Sequence, residues 1–168
     1  QHPQGHHPIP VDVIPGSSAL ILAFARLGTH APPHYYNRLT PEGQVLADTD
    51  WHLERFFDGL PPEVTLVRAS FNRCLSDLNA VPSQTAGRQA PPGGGLVPFE
   101  MLTGAWMWEP PPGPSEASSL RAARYVPYHA ALSAQIARGR ARHGFAVLID
   151  CGAREDEAAV PERAHAIG

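Results

Sequence analysis

Apolar positions along the chain fall into short continuous runs in the first half and into a helical repeat in the second. Ala19 to Ala25 (ALILAFA) is apolar without a break, the pattern of a strand buried on both faces. Val64 to Val67 (VTLV) is β-branched and apolar, a second strand. Between them Leu53, Phe56, Phe57 and Leu60 recur at i, i+3, i+4 and i+7, which predicts a helix with one apolar face. Asp48 or Thr49 suits its N-cap, and Gly59 with Pro61 and Pro62 marks its stop. Tyr128, Leu132 and Ile136 recur every four residues, so residues 128 to 143 read as a helix with Pro127 in its first turn and Gly144 as its C-cap. Phe145 to Asp150 (FAVLID) follows as the clearest strand, apolar and ending in an acid.

Strands that alternate with helices predict an α/β domain, its mostly parallel or mixed sheet flanked by helices. One such domain is expected over residues 18 to 152, preceded by a flexible arm (1 to 17) and followed by a polar tail (153 to 168). Residues of about 80 to 118 carry PSQ, QAPPGGG and EPPPGPSEA and read as a Pro/Gly-rich loop. In open α/β sheets ligands sit outside the carboxyl ends of the strands. Three places are therefore of interest: after Ala25, after Val67, and around Asp150.

Composition narrows the chemistry. A net charge of −3 without a basic block excludes the electrostatic footprint of nucleic-acid binding and of anionic membranes. All 13 basic residues are arginine, which matches a GC-rich coding background or, alternatively, dense carboxylate recognition. Cys74 and Cys151 form no CxxC pair, so neither a disulfide framework nor a cysteine zinc site is expected. No apolar run approaches 18 residues and no signal-peptide pattern opens the chain, so the expected location is the cytoplasm.

At the three places of interest, short motifs recur in a fixed order: ALILAFARLGTHAPP, LTPEGQVLADTDWHLERFFD, LVRASFNRCLSDLNAVP, GGLVPFEMLTGAWMW and YVPYHAALSAQIARGRARHGFAVLIDCG. Together they resemble the N-formylglutamate amidohydrolase (N-formylglutamate deformylase) family, of which this chain would be a divergent member shortened at its C-terminus. The resemblance implies a fold similar to zinc carboxypeptidases and phosphorylase/hydrolase-like proteins, here incomplete. It also implies a bound divalent metal, zinc above all, and hydrolysis of the formyl amide of N-formyl-L-glutamate to formate and L-glutamate, a step of histidine degradation. The partner so implied is a small acidic amide. Two positions depart from the pattern: the family's metal-holding histidines align with Arg26 and with Gly152. Guanidinium has no free lone pair and glycine has no side chain. A non-catalytic pseudoenzyme or acidic-ligand binding protein on the same fold is the alternative.

The resemblance marks individual residues. Asp48 and Asp50, in the DTDWH core, read as a metal ligand (Asp50) and a proton-transferring base, or as acids at a helix N-terminus. Arg73 reads as the anchor of a substrate carboxylate, or as one half of an ion pair with Asp77 at i+4. Asn79 reads as a substrate contact or as a turn closer, and the arginine that follows it in the family is Ala80 here. His129, beside Tyr128, reads as catalytic or as a packed helix residue. His30 and His34 have metal-ligand spacing, but Pro32 and Pro33 between them argue against a shared helix. Cys151 lacks an activating neighbour and reads as a small space-filler.

Overall fold

The computed structural model describes residues 11–25, 27–46, 49, 59–80 and 95–151. The helix expected between Asp48 and Leu60, the tail, and Arg26, Asp48, Asp50 and Gly152 lie outside these, apart from Thr49 and the helix's last two positions.

A four-stranded mixed sheet forms in the order β1-β3-β2-β4, with β1 Val11–Ile14, β2 Leu20–Phe24, β3 Thr65–Ala69 and β4 Val147–Asp150. β2 runs parallel to β3 and to β4, as the α/β reading requires, while β1 is antiparallel to β3. β1 corrects the expectation of a flexible arm up to residue 17. Its VDVI sequence alternates, with Val11 and Val13 against the core and Asp12 opposite Arg68, to which it is ion-paired. β1 is antiparallel to β2 as well as to β3, so the short link of residues 15–19 can pass the end of β3 to join β1 to β2.

Each face of the central strands builds its own core. Ile21 and Val67 point into a large cluster with Leu75, Trp108, Leu120 and Tyr128. Leu22, Phe24, Val64 and Leu66 point the other way into a smaller one. This two-sided burial is why ALILAFA carries no polar position. β4 differs: its Val147, Leu148 and Ile149 stay 43–46% exposed.

Helix covers the larger core over a longer stretch than the periodicity suggested. It begins at Pro114, not at Tyr128, and runs through α3 (Pro114–Leu120; α1 and α2 are the four-residue turns Pro33–Tyr36 and Pro41–Gln44), a π-helical turn (Arg121–Tyr125) and α4 (Val126–His143). Pro114 occupies the first turn, where its missing N–H costs nothing, with Glu116 near the positive end of the helix dipole. Gly144 ends α4 at φ 82°, a conformation that favours glycine, and its N–H caps the carbonyl of Arg140 at 2.8 Å. α4 lies against β1, β2 and β3.

Residues 95–109 hold turns and isolated bridges, yet they are not a loose loop. Leu96, Val97, Met101, Met107 and Trp108 are buried. The Trp108 indole donates to the Pro98 carbonyl at 2.8 Å. Thr40 ties this segment to the start of α2: its hydroxyl donates to the Trp106 carbonyl (2.7 Å) and accepts from the Gly43 N–H (3.1 Å).

Candidate functional site at the carboxyl ends of the strands

The loops that leave β2 and β3 are pressed together. A Cβ added to Gly28 would come within 2.3 Å of the Phe71 carbonyl oxygen, so only glycine permits this approach. Two residues on, His30 forms a parallel bridge with Phe71, and its carbonyl accepts the Asn72 N–H at 2.8 Å.

Asn72, which the motifs did not single out, fastens this rim. Its amide donates to the Thr49 hydroxyl at 2.6 Å and, at 3.5 Å, to the Gly28 carbonyl, while its Oδ1 accepts the Cys74 N–H at 2.9 Å. With 2% of its surface exposed, it holds three separate chain segments in one place. A cavity of about 10 Å³, room for one water, lies beside it between Thr49, Arg73, Met101 and Met107.

Arg73 and Asp77 form the ion pair that their spacing allowed, at 2.6 Å, with side chains 2% and 6% exposed. The segment is a series of turns, not a helix, so the i+4 contact comes from the turns. Asp77 also accepts the Asn79 N–H (2.9 Å), and Asn79 is exposed at the turn so formed. His129 projects from α4 onto this turn, where its Nε2 lies 3.0 Å from the Leu78 carbonyl. A carbonyl only accepts, so Nε2 is the donor of this bond. The Tyr125 hydroxyl donates to the Ala80 carbonyl at 3.3 Å, and the Tyr125 and His129 rings sit 4.2 Å apart. The structure thus brings Arg73, Asp77, Asn79 and His129 together around one turn.

Tyr128 occupies the β4 end of the same rim. Its phenol is buried, pushed up from its ordinary pKa by that burial and then by Asp150 and Cys151. Among the described residues its Oη has no hydrogen-bond partner. The Cys151 thiol is raised by burial and by Asp150, the opposite of an activated nucleophile. Burial pushes Cys74 up to about 12.

Metal-ligating side chains do not gather here: among the described residues no group of three His, Cys, Asp or Glu is placed to hold an ion. α1 begins at Pro33, so His30 and His34 do not share a helix, and both are exposed.

The family profile for N-formylglutamate amidohydrolase matches residues 18–166. The chain belongs to the N-formylglutamate amidohydrolase family. It is 29% identical over 138 residues to an N-formylglutamate deformylase of Pseudomonas aeruginosa, covering 80% of this chain and 52% of that protein. To an N-formylglutamate deformylase of Pseudomonas putida it is 27% identical, covering 80% and 51%. The chain thus spans about half the length of these relatives. Among solved structures, an N-formylglutamate amidohydrolase from Ralstonia eutropha JMP134 superposes with a TM-score of 0.66 at 19% identity, over 84% of this chain and 56% of that one. A gene product of Agrobacterium tumefaciens superposes with 0.64 at 20% identity, over 84% and 55%. The shared fold is the mixed α/β sheet with its covering helices.

Proposed function

We propose that this chain takes N-formyl-L-glutamate, or a close N-acyl acidic amino acid, as its ligand, and that its chemistry is hydrolysis of the formyl amide C–N bond to formate and L-glutamate. The observation that supports this most is the family match over residues 18–166. The packed rim of loops beyond β2 and β3 is where an α/β sheet receives such a ligand. In this reading Asn72 keeps the loops in register, His129 and the Arg73–Asp77 pair fix the turn around Leu78, and the Tyr128 phenol is a donor awaiting an acceptor. Asp48 and Asp50 are the candidate proton carriers.

The zinc that the resemblance implies does not fit the donors of this chain. The two aligned ligand positions are Arg26 and Gly152, neither of which offers a lone pair, so Asp50 would be left without histidine partners. No described group makes up the loss. The same two residues favour a second reading: a protein that binds the acidic amide without turning it over.

Formate release from N-formyl-L-glutamate, measured with and without added zinc, separates the two. Turnover that vanishes in Asp50→Asn establishes hydrolysis; ligand binding without formate establishes the second reading. Calorimetric titration with zinc is expected to show no micromolar binding, and tight one-to-one binding would overturn the account of the donor set.

A further inference from the structure

With Arg73 closed against Asp77 in the interior, the rim needs another cation if it is to hold an acidic ligand. Arg124 stands in the π-helical turn between α3 and α4. Its guanidinium lies 5.6 Å from the Phe71 ring centroid and 5.9 Å from that of Tyr35. Phe71 is two residues beyond the end of β3 and bridges to His30, so this packing places Arg124 on the rim already described. The group is half-buried, and loss of water pulls its pKa below the ordinary arginine range. Among the described residues it has no carboxylate and no hydrogen-bond acceptor, only the two rings.

Two described carboxylates of this region are taken. Glu116, on the same helical run, is held in a two-pronged pair by Arg38, at 2.6 and 3.1 Å. Asp77 belongs to Arg73. A planar cation stacked on two rings keeps its fork of N–H donors in a fixed plane, the arrangement that suits two-pronged binding of a carboxylate. A helical turn onward, Tyr128 offers a second donor without an acceptor among the described residues. π-helical turns recur at functional sites because they reorient side chains along a helix.

We propose that Arg124 is the residue that anchors a carboxylate of the acidic ligand. The assignment rests on the acidic-amide reading above and replaces Arg73 in the role that the sequence offered it.

Calorimetry on the full chain tests it, with N-formyl-L-glutamate and glutarate as probes. Arg124→Gln is expected to weaken both by about tenfold or more, as loss of a charge-assisted pair does. Arg124→Met keeps the stem against the rings and should lose affinity equally, and the melting temperatures of both variants should stay within about 2 °C of wild type. Arg124→Lys, which keeps the charge without the fork, should recover part of the affinity. Wild-type affinity in Arg124→Met overturns the proposal, as does a wild-type chain that binds neither probe at millimolar concentration. Arg124-dependent binding of glutarate with no gain from the formyl group would keep the anchor and sink the formyl-amide reading.

Discussion

Asp77 shows why a motif residue resists a single label. Its carboxylate takes Arg73 on one oxygen and the Asn79 N–H on the other, both away from water. Removing one partner of such a pair leaves the other charge buried, at a cost of about 3–5 kcal/mol. Asp77→Ala is therefore expected to lower stability by about that amount in urea denaturation; a change below about 1 kcal/mol would show that the pair is solvated. Activity lost in Arg73 or Asp77 variants is then a folding effect until the melt is measured. Tyr128 argues in the opposite direction. Its buried Oη has no partner among the described residues, so Tyr128→Phe removes a desolvated group without breaking a bond found there. The expected outcome is stability unchanged or raised by up to about 1 kcal/mol, with weaker ligand binding. A clear loss of stability would reveal a partner for the phenol. Cys74, at about 12 and fully enclosed, is expected to resist alkylation at pH 8 until the protein unfolds.

Among the elements, those with dense apolar runs were legible from sequence and those held by single contacts were not. β2, β3 and β4 follow from ALILAFA, VTLV and FAVLID, because burial on both faces, or an apolar strand after a helix, leaves a plain pattern. β1 is four residues flanked by prolines, and its VDVI alternation was hidden in a stretch that reads as an arm. The start of α3 was masked by EPPPGPSEA, although Pro114 at the first turn and Glu116 after it are helix-start chemistry. At the site, Arg73, Asn79 and His129 could be named from the motifs, but their roles depended on turns that spacing does not encode. Asn72 and Arg124 gave no signal, since one works through a distant hydroxyl and backbone groups and the other through two rings distant in sequence. Arg38 and Glu116 anchor the start of α3 in the same long-range way, and the bond from Arg38 holds the Glu116 carboxyl below its usual value of 4.5. The folded value lies below the unfolded one, so the contribution is complete above pH 4.5 and fades as pH falls through the depressed value. Glu116→Gln should cost about 0.5–1 kcal/mol at pH 7 and progressively less in acid, which a pair of melts at pH 7 and pH 3 will check.

Among the described residues the two edges of the sheet, β1 and β4, differ. The β1 edge carries the Asp12–Arg68 pair, and charge on an edge strand discourages pairing with other chains. Among the described residues the β4 edge has no such ion pair. Val147 (46% exposed), Leu148 (43%) and Ile149 (46%) face water on both sides of the strand, with Phe145 (59%) just before them. Parallel strands ordinarily lie covered on both faces, and β4 is paired with β2. An exposed apolar edge strand is a template for another strand, so concentration-dependent self-association is expected at high micromolar concentration. Ile149→Lys puts a charge on that edge without emptying a packed core, because the side chain is already half in water. The variant should sediment as a monomer where the wild-type chain does not, with little change in melting temperature. A wild-type chain that stays monomeric across the same range would mean that the β4 edge is shielded, and the substitution would then have nothing to relieve.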